Sequence, residues 1–535
     1  MDLPITFVTW GLAVLPIAVL LTLLVKFQWG VAEASPVALL LALVTGATAF
    51  GGSLPLLAGE LAKGIWGGLA VMAVVVPAIL IFEVTDEAKA FESFRCGMQK
   101  FSPDELFQVM TIGWGFASFL QGVTGFGVPV AIVAPLLVGM GVRPFYAVFI
   151  PLVGHAWATT FGTLAVAWEA LVFQAELSGQ LLLSTALWAG IFTWAMDFTA
   201  GIVICWIYAR WNGVKQGFYA VAAISLLHGG GQLILSQFNQ VLANFLVSSA
   251  GLILAFLLGR TLYNKVYVNQ ASPIMDRDVT CDVKDPSELP LSLNQAFLPY
   301  YVLTALTLFV LLIPPVKKAL SFLVVGFPFP ETATSHGFVN PAVALYSPIT
   351  VFTHAGVFLT LASLVGYYFF KHKNVMCAES AGRIFRNTMD KAAPATIAVI
   401  LLICMSKVMG GTGQVLILAQ GTAAATGPFY AIFAPFIGVL GAFMTSSCMA
   451  SNILFGSFQQ TMADILQMSP QVLLGAQTGG GSIGNVICPG NVLLGTTTAG
   501  ILGKEGQLLK KLIPIGLAVA FICGIIAEIA VSFMK

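Results

Sequence analysis

Apolar runs long enough to cross a bilayer recur along this chain from end to end, separated by polar connections. A crossing helix needs about 20 apolar residues. Runs of that kind fall at 6–27, 36–50, 65–84, 145–168, 181–210, 216–236, 240–260, 297–316, 350–370, 392–408, 470–500 and 512–533. The 36–50 run is short, while 181–210 and 470–500 are long enough to require a tilt or a break. Two further segments, 107–142 and 429–463, depart from the pattern. They hold no Lys, Arg, Asp or Glu, yet between them they are crowded with Gly, Pro, Ser, Thr and Asn. Such residues interrupt helices, and hydrocarbon penalises unpaired backbone, so this backbone belongs inside protein or beside a cavity. Each segment is predicted to be a helical hairpin that enters and leaves on one side. Two such segments in corresponding positions of two halves point to a transporter's binding site.

The predicted fold is an all-α integral membrane protein of about 12 transmembrane helices plus two re-entrant helical hairpins in an inverted repeat. The first repeat is 1–210, with the cytoplasmic-entering hairpin 107–142. Residues 211–296 add two helices and a charged cytoplasmic linker, 261–296. The second repeat is 297–535, with the outside-entering hairpin 429–463. In each repeat a crossing (65–84, 392–408) leads to an arm (Asp86 to Lys100, Gln414 to Thr426), a hairpin, an interrupted span and a further crossing. Five crossings in the first repeat and two more after it return the chain to the inside, so the second repeat starts from the opposite face. Residues 317–349 are too apolar for a free loop and are predicted to lie at the outer interface.

Charge placement agrees with this arrangement. With both termini outside, the inner connections collect 19 of the 24 basic residues; Lys63, Lys317, Lys318, Lys407 and Lys535 are the exceptions. That is the positive-inside bias. Composition sets the solvent: 58% of the 535 residues are hydrophobic, 9% are charged, and mean hydropathy is +0.92. Soluble domains carry roughly 25% charged residues. The net charge of +1 argues against nucleic acid as a partner. No basic residue precedes the first apolar run, which argues against a cleaved signal peptide. The eight cysteines show no metal or redox spacing, and no cofactor or metal is predicted. No HExxH motif occurs, and Asp197 and Glu528 are too far apart in sequence to read as a dyad, so the chain is not read as an enzyme.

Helix N-termini at a hairpin tip carry partial positive charge and suit anions. No Arg or Lys lies near the middle of either hairpin or interrupted span. Backbone N–H, hydroxyl and amide donors would do the holding, which suits a small, singly charged anion better than a polyanion, which usually recruits Arg. The first tip offers Gln121, Gly122, Thr124, Gly125 and Gly127; the second offers Thr445, Ser446, Ser447, Ser451 and Asn452. The interrupted spans add Thr159 and Thr160, and Gln477, Thr478, Ser482 and Asn485, with Gly479, Gly480 and Gly481 permitting close backbone approach. Each hydroxyl taken singly also suits helix packing. Ionisable groups inside the membrane are functional candidates. His155 and Asp197 are the proton-coupling candidates, Asp197 being alternatively the buried partner of a cation. His228, beside Gly229, Gly230 and Gly231, interrupts another span.

The stretches FLQGVTGFGVPVAI (119–132), HAWATTFG (155–162), GAFMTSSCMASNILFGSFQ (441–459) and GKEGQLL (503–509) resemble the L-lactate permease family. The resemblance implies a proton-driven plasma-membrane symporter of lactate, glycolate and related 2-hydroxy monocarboxylates, and an elevator motion of the hairpin domain. Members of that family often carry an acidic residue where Gln121 stands, Asn where His155 stands and sometimes Asp where Cys448 stands, so the coupling scheme is open to change here. The expectation is a secondary transporter whose partners are a small monocarboxylate, protons and the bilayer. A sodium-coupled carrier and a passive anion channel are the alternatives.

Overall fold

The computed structural model describes residues 6–99, 102–125, 127–265, 272–276 and 289–534. Among the described residues nine helices are long and apolar enough to cross a bilayer, or ten with the pair Leu298–Leu312 and Pro314–Leu320, which bends by 91°. The stretch Gly179–Ser236 is nearly continuous helix but supplies two passes. Its backbone leaves helical geometry at Ala209 and Arg210. Beyond that point Gly217 packs on Cys205, Gly201 on Val221 and Gly190 on Leu233, the contacts of an antiparallel pair. Outward faces carry Phe7, Leu54, Phe238 and Ile529, whereas Trp114, Trp157, Trp168 and Tyr430 fill the interior.

The segment 107–142 folds as two packed helical arms. The first runs from Glu105 to Val123 and is π-helical over Thr111–Phe116. The second, Val128–Val138, returns beside it, with Gly113 against Leu137. Asp104 starts the first arm by accepting from the Phe107 N–H at 2.8 Å. Both ends of the hairpin lie at the same end of the molecule: Ser102 donates to the Tyr263 carbonyl, and the Arg143 N–H donates to that of Ile274. The segment 429–463 pairs Tyr430–Thr445 with Cys448–Leu466. Ser451 donates to the Gly438 carbonyl at 2.8 Å, and Gln459 to that of Ala434 at 3.2 Å.

Each hairpin is followed by a broken span. The first comprises Pro144–Gly154, the 3-10 turn Ala156–Thr159 and Gly162–Ala175. Within it Thr163, Leu164 and Ala165 all have positive φ, a left-handed turn that L-residues adopt at a cost. The second comprises Pro470–Val486 and Pro489–Thr498, broken at Ile487 and Cys488 just before a proline. Its three glycines, 479–481, stand inside unbroken helix.

One region departs from the all-α expectation. Within 317–349 and just beyond, Val324–Phe329 pairs antiparallel with Val343–Thr350, and Thr332–Ala333 with Val339–Asn340. Val, Phe, Tyr and Thr mixed with Pro favour extended backbone over helix. The ladder is tied to the helix Leu54–Glu87 by the Trp66 indole N–H donating to the Ser347 carbonyl at 3.1 Å. The linker charges Arg277, Asp278, Asp282, Lys284, Asp285 and Glu288 lie outside the described residues.

Candidate functional site

The two hairpin tips and the first broken span line one partly open cavity of about 50 Å³, with Asn485 of the second span also in its wall. Gln121 and Gly127 line it from the first hairpin, and Ser446, Ser447, Cys448 and Met449 from the second. The first broken span contributes Thr159, Gly162, Thr163, Val166 and Ala167. Among the described residues no charged side chain lines it. Two helix N-termini open on the cavity. Gly127 is the N-cap of Val128–Val138, and Ser447 caps Cys448–Leu466, its Oγ accepting from the Ala450 N–H at 3.2 Å. The first-turn N–H groups of a helix lack intrahelical acceptors and carry the positive end of its dipole.

Two glycines are obligatory at the first tip. Gly125 has φ +59°, and a Cβ there would stand 2.1 Å from the Thr163 Oγ1. Gly127 has φ +80°, and a Cβ would meet the Leu494 side chain at 2.6 Å. The second tip turns at Ser446, φ 55°, whose Oγ accepts from the Gly490 N–H at 3.2 Å. The first tip thus rests on the break of the first span, and the second tip on the break of the second.

Of the residues expected from sequence, Gln121, Gly127, Thr159, Ser446, Ser447 and Asn485 reach the cavity wall. Others hold the elements together behind it. Thr160 Oγ1 lies 2.7 Å from Ser482 Oγ and 3.2 Å from Thr478 Oγ1. Asn452 donates to the Ala167 carbonyl at 2.8 Å and to Thr478 Oγ1 at 2.9 Å. Gln477 donates to Ser451 Oγ and accepts from Gln459. Thr124 and Thr445 donate to carbonyls of their own helices. Gly122 faces Asn244 and Ser248, Gly479 faces Phe192, and Gly480 lies against the Pro435 carbonyl. Sequence reasoning missed Gly162, Thr163, Val166, Ala167 and Met449 as wall residues, and treated Cys448 only as a departure from a family pattern. Gly162 and Thr163 follow the polar run Thr159–Thr160 after the single residue Phe161, which was the available signal.

The ionisable candidates stand away from the cavity. His155 Nδ1 lies 2.5 Å from the Pro151 carbonyl, and among the described residues its Nε2 has no partner. Asp197 Oδ1 accepts from the Trp114 indole at 2.7 Å and lies 3.2 Å from His228 Nδ1, both residues being fully buried. The Trp157 ring stacks on His228 at 4.6 Å. His228 is thus the partner of Asp197, a pairing the sequence did not reveal.

A second, larger cavity of about 710 Å³ adjoins this region. The helices Leu54–Glu87 and Gly162–Ala175 and the strand Val343–Thr350 bound it, and Val166 lines both cavities.

Comparison with known proteins adds three findings. The family model for L-lactate permease matches residues 11–534. Among relatives, the L-lactate permease of Escherichia coli K12 is 26% identical over 528 residues, covering 94% of this chain and 91% of that protein. The glycolate permease GlcA of the same organism is 27% identical over 490 residues, covering 86% and 84%. The YdaH transporter of Alcanivorax borkumensis superimposes with a TM-score of 0.42 at 13% identity, covering 88% of this chain and 87% of that one.

Proposed function

The chain belongs to the L-lactate permease family, and on that premise we propose that it is a proton-coupled secondary transporter of a small 2-hydroxy monocarboxylate, lactate or glycolate, with its substrate site at the hairpin tips. The observation that carries the site is the convergence of two helix N-termini on one uncharged cavity. The carboxylate is held by the N–H of Val130 on the first helix, where Val128 donates to the Gly125 carbonyl and Pro129 has no N–H, and by those of Cys448 and Met449 on the second, aided by the Ser446 and Ser447 hydroxyls. Gln121, Thr159 and Asn485 supply the remaining polar wall, matched to the 2-hydroxyl. A cavity of about 50 Å³ is far below the ~300 Å³ lower bound of drug-sized pockets, in keeping with a substrate of a few heavy atoms and closed tips.

The two breaks support a reading of alternating access. Each tip is seated on a break in a span, so either hairpin is free to part from its seat without unfolding a continuous helix. The base of the first hairpin adjoins Tyr263 and Ile274, while the arm leading into the second lies beside the first helix through the Trp10 contact with the Leu418 carbonyl. Those placements favour hairpins entering from opposite faces, as does the basic-residue bias. The test is uptake of radiolabelled lactate and glycolate into proteoliposomes, with pH gradient and sodium varied separately. Accumulation driven by an inward proton gradient is expected. Equilibration without accumulation supports a passive channel instead, and a strict sodium requirement a sodium-coupled carrier.

A further inference from the structure

We propose that Glu169 is the side chain that ties proton uptake to admission of the anion from the outer face. This rests on reading the tip cavity as the substrate site. Glu169 lies on the helix Gly162–Ala175, three residues beyond Val166, so the two share a helix face. Val166 lines both cavities, and Glu169 lines the larger one. A solute passing from the larger cavity to the tips therefore goes by Glu169. The carboxyl is accessible to the cavity, and among the described residues it has no hydrogen bond and no ion pair.

The surroundings leave Glu169 electrostatically alone. Glu176 also lines the cavity, but it lies 3.7 Å from the Lys407 ammonium and is largely exposed. Tyr346 and His354 stand on the opposite wall, and the Tyr346 hydroxyl has no partner. On the helix Leu54–Glu87, Glu60 and Lys63 pair with each other at 2.7 Å, and that helix faces the cavity with Gly67, Ala70, Val71 and Val74. From Gln240–Thr261 the wall residue is Val241. Cys448–Leu466 meets the Glu169 helix through the amide of Asn452. His155 is engaged by the Pro151 carbonyl, and Asp197 by Trp114 and His228.

An ionised Glu169 repels an approaching carboxylate in a confined space where water screens poorly. Taking a proton from the outer water neutralises the side chain and removes the repulsion; no covalent bond other than O–H forms or breaks. The helix that bears it is tied to the second hairpin by Asn452 and the Ala167 carbonyl. Proton and anion therefore sit on one packed unit, and the O–H bond breaks again once the unit faces the inside and the anion has left.

The test uses the full-length protein in proteoliposomes, with radiolabelled lactate read in two assays. Counterflow exchanges lactate for lactate without net proton movement; gradient-driven uptake requires it. Glu169→Gln is expected to retain counterflow and to lose stimulation by an inward proton gradient. Glu169→Asp, which keeps a titrating group, is expected to retain both, and so is Glu176→Gln. Persistent gradient-driven accumulation in Glu169→Gln overturns the proposal. So does loss of counterflow in Glu169→Gln and Glu169→Asp that elute as folded protein, since that assigns the residue to binding or folding. If the unmodified protein shows no counterflow with lactate or glycolate, the substrate reading has failed instead, and uptake of another small carboxylate driven by an inward proton gradient then tests Glu169 by itself.

Discussion

The first hairpin turns on glycine and the second on serine. Gly125 and Gly127 give the first tip left-handed backbone that other residues follow only under strain, and its side-chain chemistry in the cavity reduces to Gln121. Ser446 and Ser447 give the second tip two hydroxyls, one bridging to Gly490 and one capping a helix. One tip is thus shaped by what it lacks and the other by the bonds its hydroxyl oxygens accept. Glycine substitutions at the first tip are expected to act on geometry, whereas serine substitutions at the second are expected to act on affinity.

The largest effect is expected from Gly125→Ala. The left-handed backbone adds roughly 1–2 kcal/mol of strain, and the new Cβ collides with Thr163 Oγ1. Uptake is expected to vanish while the protein still inserts, as read by transport and by elution profile. Normal uptake would show that the tip does not need this turn. Next comes Ser447→Ala, which removes the helix cap at about 1 kcal/mol. It should raise the half-saturating lactate concentration about fivefold, the equivalent of ~1 kcal/mol; an unchanged concentration would remove Ser447 from the site. Gln121→Glu tests the first tip without altering its backbone. A carboxylate there repels the substrate at neutral pH, and acid restores binding as the group protonates towards its ordinary value near ~4.3. A pH-independent response would place Gln121 outside the anion's reach.

The smallest effect is expected far from both tips. Glu87 is held below the ordinary carboxylate range, chiefly by the Arg383 guanidinium at 2.5 Å, with a contribution from the Ser380 hydroxyl. A lowered folded-state value means the contribution to stability is present above the unfolded value near 4.5 and is lost as pH falls through the lower folded one. Glu87→Gln should therefore flatten the acid limb of a stability profile slightly, with uptake at neutral pH unchanged. A marked transport defect would connect this pair to the moving parts.

The breaks and tips were legible because Gly, Pro and hydroxyl residues concentrate where charge is missing, and helices stop for local reasons. What the sequence did not show is depth and rotation. Ser451 and Asn452 follow the cavity-lining Cys448 by one helical turn, yet their side chains point to Gly438 and Ala167 rather than to the cavity. Glu169 was hidden by a boundary: an apolar run read as ending at 168 leaves the carboxylate in a loop, whereas the helix continues to Ala175. Asp197 and His228 are 31 residues apart, and only the reversal at Arg210 brings them together. The ladder at 324–350 was hidden because its alternation is blurred by prolines and by irregular register.

Thr163, Leu164 and Ala165 wind against the natural hand of the chain immediately beside the tips. Each residue so placed lies above its right-handed alternative, and its neighbours, Gly125 among them, keep it there. Release of that segment would rotate everything beyond it, Glu169 included, about the helix axis. The molecule carries a pre-wound torsion joint next to the tip cavity, and the chirality of amino acids alone fixes the direction in which it unwinds.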